Sequence, residues 1–499
     1  MNQVIRSSTW LTSCCLFALA LPGQDDGKSG TGLKVNTDAP GPRTANAATN
    51  ITLVRNWRRT SGGYNDIWGW TAPDGREFAY VGERSGIWFV ETTTPSNIKQ
   101  IGWWSAPRST WRDFTNYGSY VYAVSEGHSG IRIFDMSNPS SPRDLGTVAT
   151  SQIRNTHNIS VDPATGHLYL SGTNQGLAIF NAKANPTNPT FVGSWRTSYT
   201  HDCCIRRGKA YLSNGRSYVC RIMDTTNPAS LREIGRANTP GGYDHNVWVS
   251  EDDQVMAVTD EISRGSSTPH LTLWDISNPA RPVKRGDYDL RGIVHNVFIV
   301  GRAAYMSHYY HGFHMVDIGN LSSPKMVAEY DTSSSTSGYN GAWGCYPFSD
   351  SGLVYVSDIS NGLYVFRITA GHMNRYDAGT QGSNGTVPKM KFDGATPRVG
   401  ASGLKVRISR MKPNAQGALL VAAGKGNFKL LGVQINVDLA TLQMVRFKAD
   451  ASGRAVLSTP VSNNAGLGGA RIYMQIVAED TGNSNGFSSS RGMWAGIAK

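Results

Sequence analysis

Between residues 50 and 370 the chain is written in short runs where apolar and polar side chains alternate, the pattern of strands with one face buried. One phrase keeps returning: GIWFVETTTPSNIKQIG from Gly86, GIRIFDMSNPSSPRDLG from Gly130, GLAIFNAKANPTNPTFVG from Gly176, YVCRIMDTTNPASLREIG from Tyr218, LTLWDISNPARPVKRGDY from Leu271, GFHMVDIGNLSSPKMVAEY from Gly312, and a truncated GLYVFRIT from Gly362. Each reads as strand, a turn of Asp, Asn, Ser and Pro, then strand. Two more alternating runs precede each phrase, as in NISVDPATGHLYLSG and NVWVSEDDQVMAVTDE. Four short strands per unit and seven units predict a seven-bladed β-propeller. After GLYVFRIT no further strand follows, while Ile51 to Trp57 has nothing ahead of it in its own unit. Ile51 to Trp57 is therefore expected as the outermost strand of the last blade, closing the ring and leaving no sheet edge between first and last blades.

Aligning the units places seven residue pairs at the start of the first strands: Trp68-Gly69, Arg112-Asp113, His157-Asn158, His201-Asp202, His245-Asn246, His295-Asn296 and Trp343-Gly344, the second members lying 44, 45, 44, 44, 50 and 48 residues apart. Neighbouring residues on a strand point to opposite sides. Arg112, Asp113, Asn158, Asp202, Asn246 and Asn296 are candidates for a polar ligand-binding ring. His157, His201, His245 and His295 are candidates for a metal, because neutral imidazole is a common ligand; a divalent ion is the cofactor that this set would take. The competing structural reading gives these polar groups to hydrogen bonds with the next blade.

Other chemistry is sparser. His308, His311 and His314 in SHYYHGFHM, and the acidic turns at Glu83, Glu126, Asp260 with Glu261, and Asp358, are weaker candidates to rim the channel. Cys203, Cys204, Cys220 and Cys345 read as buried free thiols, against the alternatives of a vicinal disulfide or a pairing with Cys220. The tryptophans from Trp57 to Trp111 read mainly as packing between blades. No nucleophile elbow, zinc-protease helix or phosphate loop appears, so no catalytic residue is assigned.

The phrase D-I-S-N-P-x-x-P, the V-H-N strand starts and the opening N-D-I-W-G-W resemble the secreted LVIVD-repeat proteins of the choice-of-anchor B family over roughly residues 50 to 370. The resemblance implies a propeller at a bacterial cell surface, with interchangeable C-terminal anchoring segments. It carries over no catalytic residues, and this chain departs from the pattern in lacking a terminal sorting motif with an apolar tail.

Beyond the repeats, Gly371 to Thr386 reads as a Gly, Asn and Ser-rich linker. Seven strand-like runs follow and suit a β-sandwich over 387–499. The segment KADASGRAVLSTPVSNNAGLGGARIYMQIVAED resembles a C-terminal module of exported bacterial proteins with no assigned activity. The net charge of the chain is +12. Residues 371 to 499 carry sixteen Lys and Arg against six Asp and Glu, or +10, so the rest is close to neutral. Lys405 with Arg407, and Arg446 with Lys448, alternate along their strands, giving either a solvated face or a patch for acidic polysaccharide. At the other end, residues 1–23 read as a secretory signal: an early arginine, an apolar stretch and Ala18-Leu19-Ala20 as a cleavage site, with Leu11-Thr12-Ser13-Cys14 as a poor lipoprotein box. Residues 24–49 read as a linker.

The expected protein is all-β, a seven-bladed propeller closed by an N-terminal strand and followed by a β-sandwich, and secreted or held at the cell surface. It is expected to bind an extracellular polymer or protein, with a metal-assisted hydrolase or lyase at the channel mouth as the alternative. Neither nucleic acid nor a membrane span is expected.

Overall fold

The computed structural model describes residues 48–262, 270–289, 292–369, 373–393, 397–402, 404–467 and 470–497. The segment read as a signal, and most of the linker after it, lie outside the described residues. No α-helix occurs among the described residues, and no helix is long and apolar enough to cross a membrane. The described residues divide into two compact units, 48–368 and 369–497.

The first unit is propeller-like, built from four-stranded antiparallel sheets. Its sheets begin with the strands Tyr64–Thr71, Arg112–Tyr117, Asn158–Val161, Asp202–Arg206, Asp244–Val249, Val297–Val300 and Ala342–Tyr346. Each of these strands neighbours the next, and Ala342–Tyr346 neighbours Tyr64–Thr71. Within a sheet the strands follow in sequence order, as in Asp202–Arg206, Lys209–Ser213, Val219–Asp224 and Arg232–Asn238. In the seventh sheet the outer strand is Ile51–Trp57, which pairs antiparallel with Gly362–Ile368, Ile51 opposite Ile368. Ala48–Thr49 adds a short fifth strand to the sixth sheet, a pairing with no sequence signal in two residues.

The repeated phrase has a physical basis. At the end of the third strands, Asp135, Asp224 and Asp275 each accept a hydrogen bond from the backbone N–H two residues on, at Ser137, Thr226 and Ser277. Each also binds an arginine of the fourth strand, Arg143, Arg232 or Arg285. The aspartate thus makes the turn and ties the outer strand to it. The pairing of third with fourth strand slips by a bulge in all seven sheets, next to Gly146 in the second; such bulges sharpen the local twist. Apolar side chains fill the space between neighbouring sheets. Trp70, Phe78 and Phe89 of the first sheet pack with Phe114, Val121 and Phe134 of the second.

The second unit has a six-stranded sheet, in which Arg471–Glu479 and Gln416–Ala422 are central, a three-stranded sheet of Lys389–Asp393, Lys405–Ser409 and Ala455–Ser458, and a two-stranded hairpin. Val406 and Ile408 from the three-stranded sheet share one core with Leu419, Val421 and Ile476 from the larger. The run FKLLGVQINVDL is a hairpin rather than one strand, turning at Leu431 and Gly432, both of positive φ. The stretch read as a linker is mostly structured: Met373–Tyr376 pairs with Gly492–Gly496, and Ser383 donates from its N–H and its hydroxyl to Asp480. Only Gly371 and His372 of it fall outside the described residues.

Candidate functional site: two rings at the centre of the repeats

The first strands line the centre of the repeat unit, and their opening residues form two rings. The first members stack. Ring centroids of His157 and His201 lie 4.0 Å apart, His201 and His245 4.3 Å, His245 and His295 4.2 Å, and His295 and Trp343 4.8 Å, while Trp111 stands 6.4 Å from His157 at the other end. Nδ1 of His201 faces the His245 carbonyl at 3.2 Å, and Nδ1 of His245 faces the His295 carbonyl at 3.0 Å. A ring nitrogen against a carbonyl must donate, so these two imidazoles carry their proton on Nδ1 and keep a lone pair on Nε2. Burial pushes His201 and His295 well below the usual histidine range and lowers His245 as well. All three are neutral near pH 7. His157, half-buried, instead binds Glu126 at 2.6 Å.

The four histidines therefore form a ladder rather than a cage, since stacked rings cannot aim four lone pairs at one point. Among the described residues the set whose ligand atoms converge is His245, Glu261 and His295, all within 4.8 Å of one another. Glu261 had been only one acidic turn among several. Arg112 opens its strand at the place of a histidine, but its guanidinium turns away to donate to the carbonyls of Pro107 and Glu83.

The second members clamp neighbouring sheets together. Asp113 accepts from the N–H of Phe114 in its own strand and of Ile159 in the next sheet. Asp202 accepts from Cys203 N–H and from the Asn246 amide. Asn246 Oδ1 accepts from Val297 N–H at 2.9 Å. In the first sheet the equivalent residue is Asp66, which accepts from Ile67 N–H. The alignment on Trp68-Gly69 is thus three residues late, because the turn between the first two strands of this sheet spans 72–76 where that of the second sheet spans only 118–119, which puts Asp66 47 rather than 44 residues before Asp113. At the seventh position Gly344 leaves the space that Asp66 fills: a Cβ there would stand 2.1 Å from Asp66 Oδ1.

Asp66, Asp113 and Asp202 all lie deep in the channel. Desolvation pushes Asp66 up to about 7 and Asp202 up to about 6, and holds Asp113 well above the ordinary carboxylate range, with the neighbouring acid Asp66 adding to the effect. A narrow neck of about 20 Å³ separates the ladder from this ring. On the far side of the ring a channel of about 450 Å³ opens, walled by Trp68, Trp248, Phe298 and Phe348. These aromatic rings meet at 4.7 to 6.3 Å, mostly edge to face. Arg206 also reaches the wall but is bound to Asp253 and to the Glu251 carbonyl. Asn158 and Asn296 border both spaces, each with an Oδ1 that accepts no hydrogen bond from the protein.

The remaining candidates lie elsewhere. His308, His311 and His314 pack on one another, with ring centroids of His308 and His311 4.8 Å apart, and line neither the neck nor the channel. Glu83, Asp260 and Asp358 accept from nearby backbone N–H groups and hold turns. Cys203, Cys204, Cys220 and Cys345 are buried free thiols whose ionisation burial opposes.

The LVIVD repeat family model matches residues 112–150, 267–290 and 291–332, so the chain carries LVIVD repeats. No curated protein matches it. Among solved structures it is similar to U3-55K, at 11% identity over 64% of this chain and 98% of that one, and to the hydrazine synthase of Kuenenia stuttgartiensis, at 13% identity over 62% and 96%, each with a TM-score of 0.47. Likenesses this distant carry no argument about function.

Proposed function

We propose that the chain is an exported or cell-surface binding module: a seven-bladed propeller whose channel seats cationic groups of an extracellular polymer or protein, followed by a β-sandwich that holds acidic polysaccharide. The count of blades is supported by the cyclic order of the first strands and by the outer strand that the N-terminal segment adds to the seventh sheet. The apolar core shared by the six-stranded and three-stranded sheets supports the sandwich. Export and surface attachment rest on the residues 1–23 pattern and on the resemblance to the choice-of-anchor B family.

One observation carries the binding reading. Asp66, Asp113 and Asp202 gather at the end of a 450 Å³ channel with no ion pair to Lys or Arg among the described residues. Carboxylates enclosed without a countercharge are costly, and a cation entering the channel would relieve that cost. The wall suits the same guest, because aromatic faces attract cations. For the second unit, Lys405 and Arg407 stand exposed on a strand whose Val406 and Ile408 are buried, and Arg446 and Lys448 are exposed on the six-stranded sheet.

Melting the protein at pH 8 with benzyltrimethylammonium, and with benzyl alcohol as its neutral counterpart, tests the channel. The cation should raise the melting temperature and the alcohol should not, and Asp113→Asn should shrink the rise. Equal shifts from both compounds, or none from either, would remove the reading.

A further inference from the structure

We propose that His245, Glu261 and His295 form a binding site for a divalent transition metal of the zinc class. The inference does not depend on the channel reading, since a metal could seat here whether or not the channel takes a guest. Each residue offers one ligand atom, and the three atoms lie within 4.8 Å of one another. Nε2 of His245 stands 3.8 Å from Oε2 of Glu261. That is too long for a hydrogen bond. It is close to the separation of about 3.4 Å that two ligands adopt when each sits about 2.0–2.1 Å from a tetrahedral ion.

The surroundings hold two of the three ligands in the form that a metal requires. His245 presents Nδ1 to the His295 carbonyl at 3.0 Å, which fixes the proton there and leaves the Nε2 lone pair for a metal. Glu261 accepts at Oε1 from the Tyr309 hydroxyl at 2.6 Å, so Oε2 remains on the side of His245. Tyr309 is itself fixed. It is buried, its φ is +37°, and its backbone exchanges two hydrogen bonds with Ala342, at 2.9 and 3.0 Å. A residue other than glycine held at positive φ needs such support, and here the result is a phenol aimed at the carboxylate. An imidazole N–H on a carbonyl and a ligating carboxylate on a hydroxyl are the supports that metal ligands usually have. Two nitrogens and one oxygen favour a first-row transition ion over calcium or magnesium, which take oxygen. Three protein ligands leave a fourth position open, the arrangement of zinc sites that bind an exogenous group.

The test uses the full untagged chain, stripped with a chelator and titrated with Zn²⁺, and with Co²⁺ as an optical probe. One equivalent should bind, and Co²⁺ should develop a visible d–d band. Tyr309→Phe should weaken binding by about 10–100-fold, the range for a lost outer partner of a ligand, and Glu261→Gln, which removes a ligand charge, by at least as much; His245→Gln and His295→Gln should abolish the saturable equivalent. His308→Gln, in the separate histidine cluster, should leave uptake unchanged. If either ligand-histidine variant fails to fold by circular dichroism, Glu261→Gln and Tyr309→Phe still decide the matter. The proposal is overturned if the parent chain takes up no saturable equivalent, if uptake survives Glu261→Gln and Tyr309→Phe at full affinity, or if folded His308→Gln loses it.

Discussion

Two neighbouring positions on the same seven strands do opposite work. At the first, imidazoles stack from His157 to His295 and hand one N–H from sheet to sheet. At the second, carboxyl and amide groups capture backbone N–H groups across the sheet boundary. In the first ring burial keeps His201, His245 and His295 neutral. The second contains acids that burial keeps from ionising easily. Adjacent residues of a strand thus set imidazoles held below their ordinary pKa, at His201, His245 and His295, beside carboxyls held above theirs, at Asp66, Asp113 and Asp202.

That contrast can be broken most severely at Asp113. Asp113→Ala leaves the N–H groups of Phe114 and Ile159 without their acceptor and should cost about 3–5 kcal/mol in denaturant unfolding. Asp113→Asn keeps one of the two acceptor oxygens but turns an amide NH2 toward the other N–H, so it should recover only part of that loss. Equal losses would mean that packing, not the clamp, matters there.

The next test is one of sign. Asp66 has its folded pKa raised to about 7, so the native state holds its proton longer than the unfolded chain does. Stability from this group is complete below the unfolded value near 4 and is lost as pH rises toward 7. Asp66→Asn should therefore raise the melting temperature at pH 8 by at least about 3 °C and change it little at pH 4. The ladder runs the other way. His201 is depressed in the folded state, so its contribution is lost as pH falls below about 6.5. His201→Phe should keep a stacked ring, flatten the acid limb of the stability profile, and shift stability at pH 7 by about 1 kcal/mol or less. A limb as steep as the parent's would assign it to other groups.

The smallest effect on stability belongs to the second unit. Changing Lys405, Arg407, Arg446 and Lys448 to glutamate should alter unfolding by no more than about 0.5 kcal/mol at each position, because all four are exposed. The same variant should lose retention on an immobilised acidic polysaccharide, and retention of the parent should fall with salt. Unchanged retention would give these charges to solubility.

The strands were legible because alternation and turn residues are local signals, and the pairs from Arg112-Asp113 to His295-Asn296 were legible because the repeat holds them in register. Asp66 was not, since the longer turn 72–76 after its strand lengthens the spacing on which the alignment relied. A chemical signal was available. The second member is followed by an apolar residue in Asp66-Ile67, Asp113-Phe114, Asn158-Ile159, Asp202-Cys203, Asn246-Val247, Asn296-Val297 and Gly344-Cys345. Trp68-Gly69 follows that rule as well, through Trp70, but offers no polar group; Asn65-Asp66 offers both. Glu261 could not be separated from the other acidic turns by sequence, because what distinguishes it is the Tyr309 hydroxyl 48 residues away.

The strand Ile51–Trp57 has a consequence for how the molecule comes into being. Its partner ends at Ile368, so the seventh sheet joins residues 317 positions apart, Ile51 with Ile368. Closing a loop of that length carries an entropy cost of order (3/2)RT ln n, about 5 kcal/mol, before any of the pairing repays it. A ribosome that has produced six sheets has made a chain with one orphan strand and an open seam. The last repeat completes the seam only after it emerges, which makes that junction the expected late step of folding and the place where a truncated product would offer an unpaired edge to its neighbours.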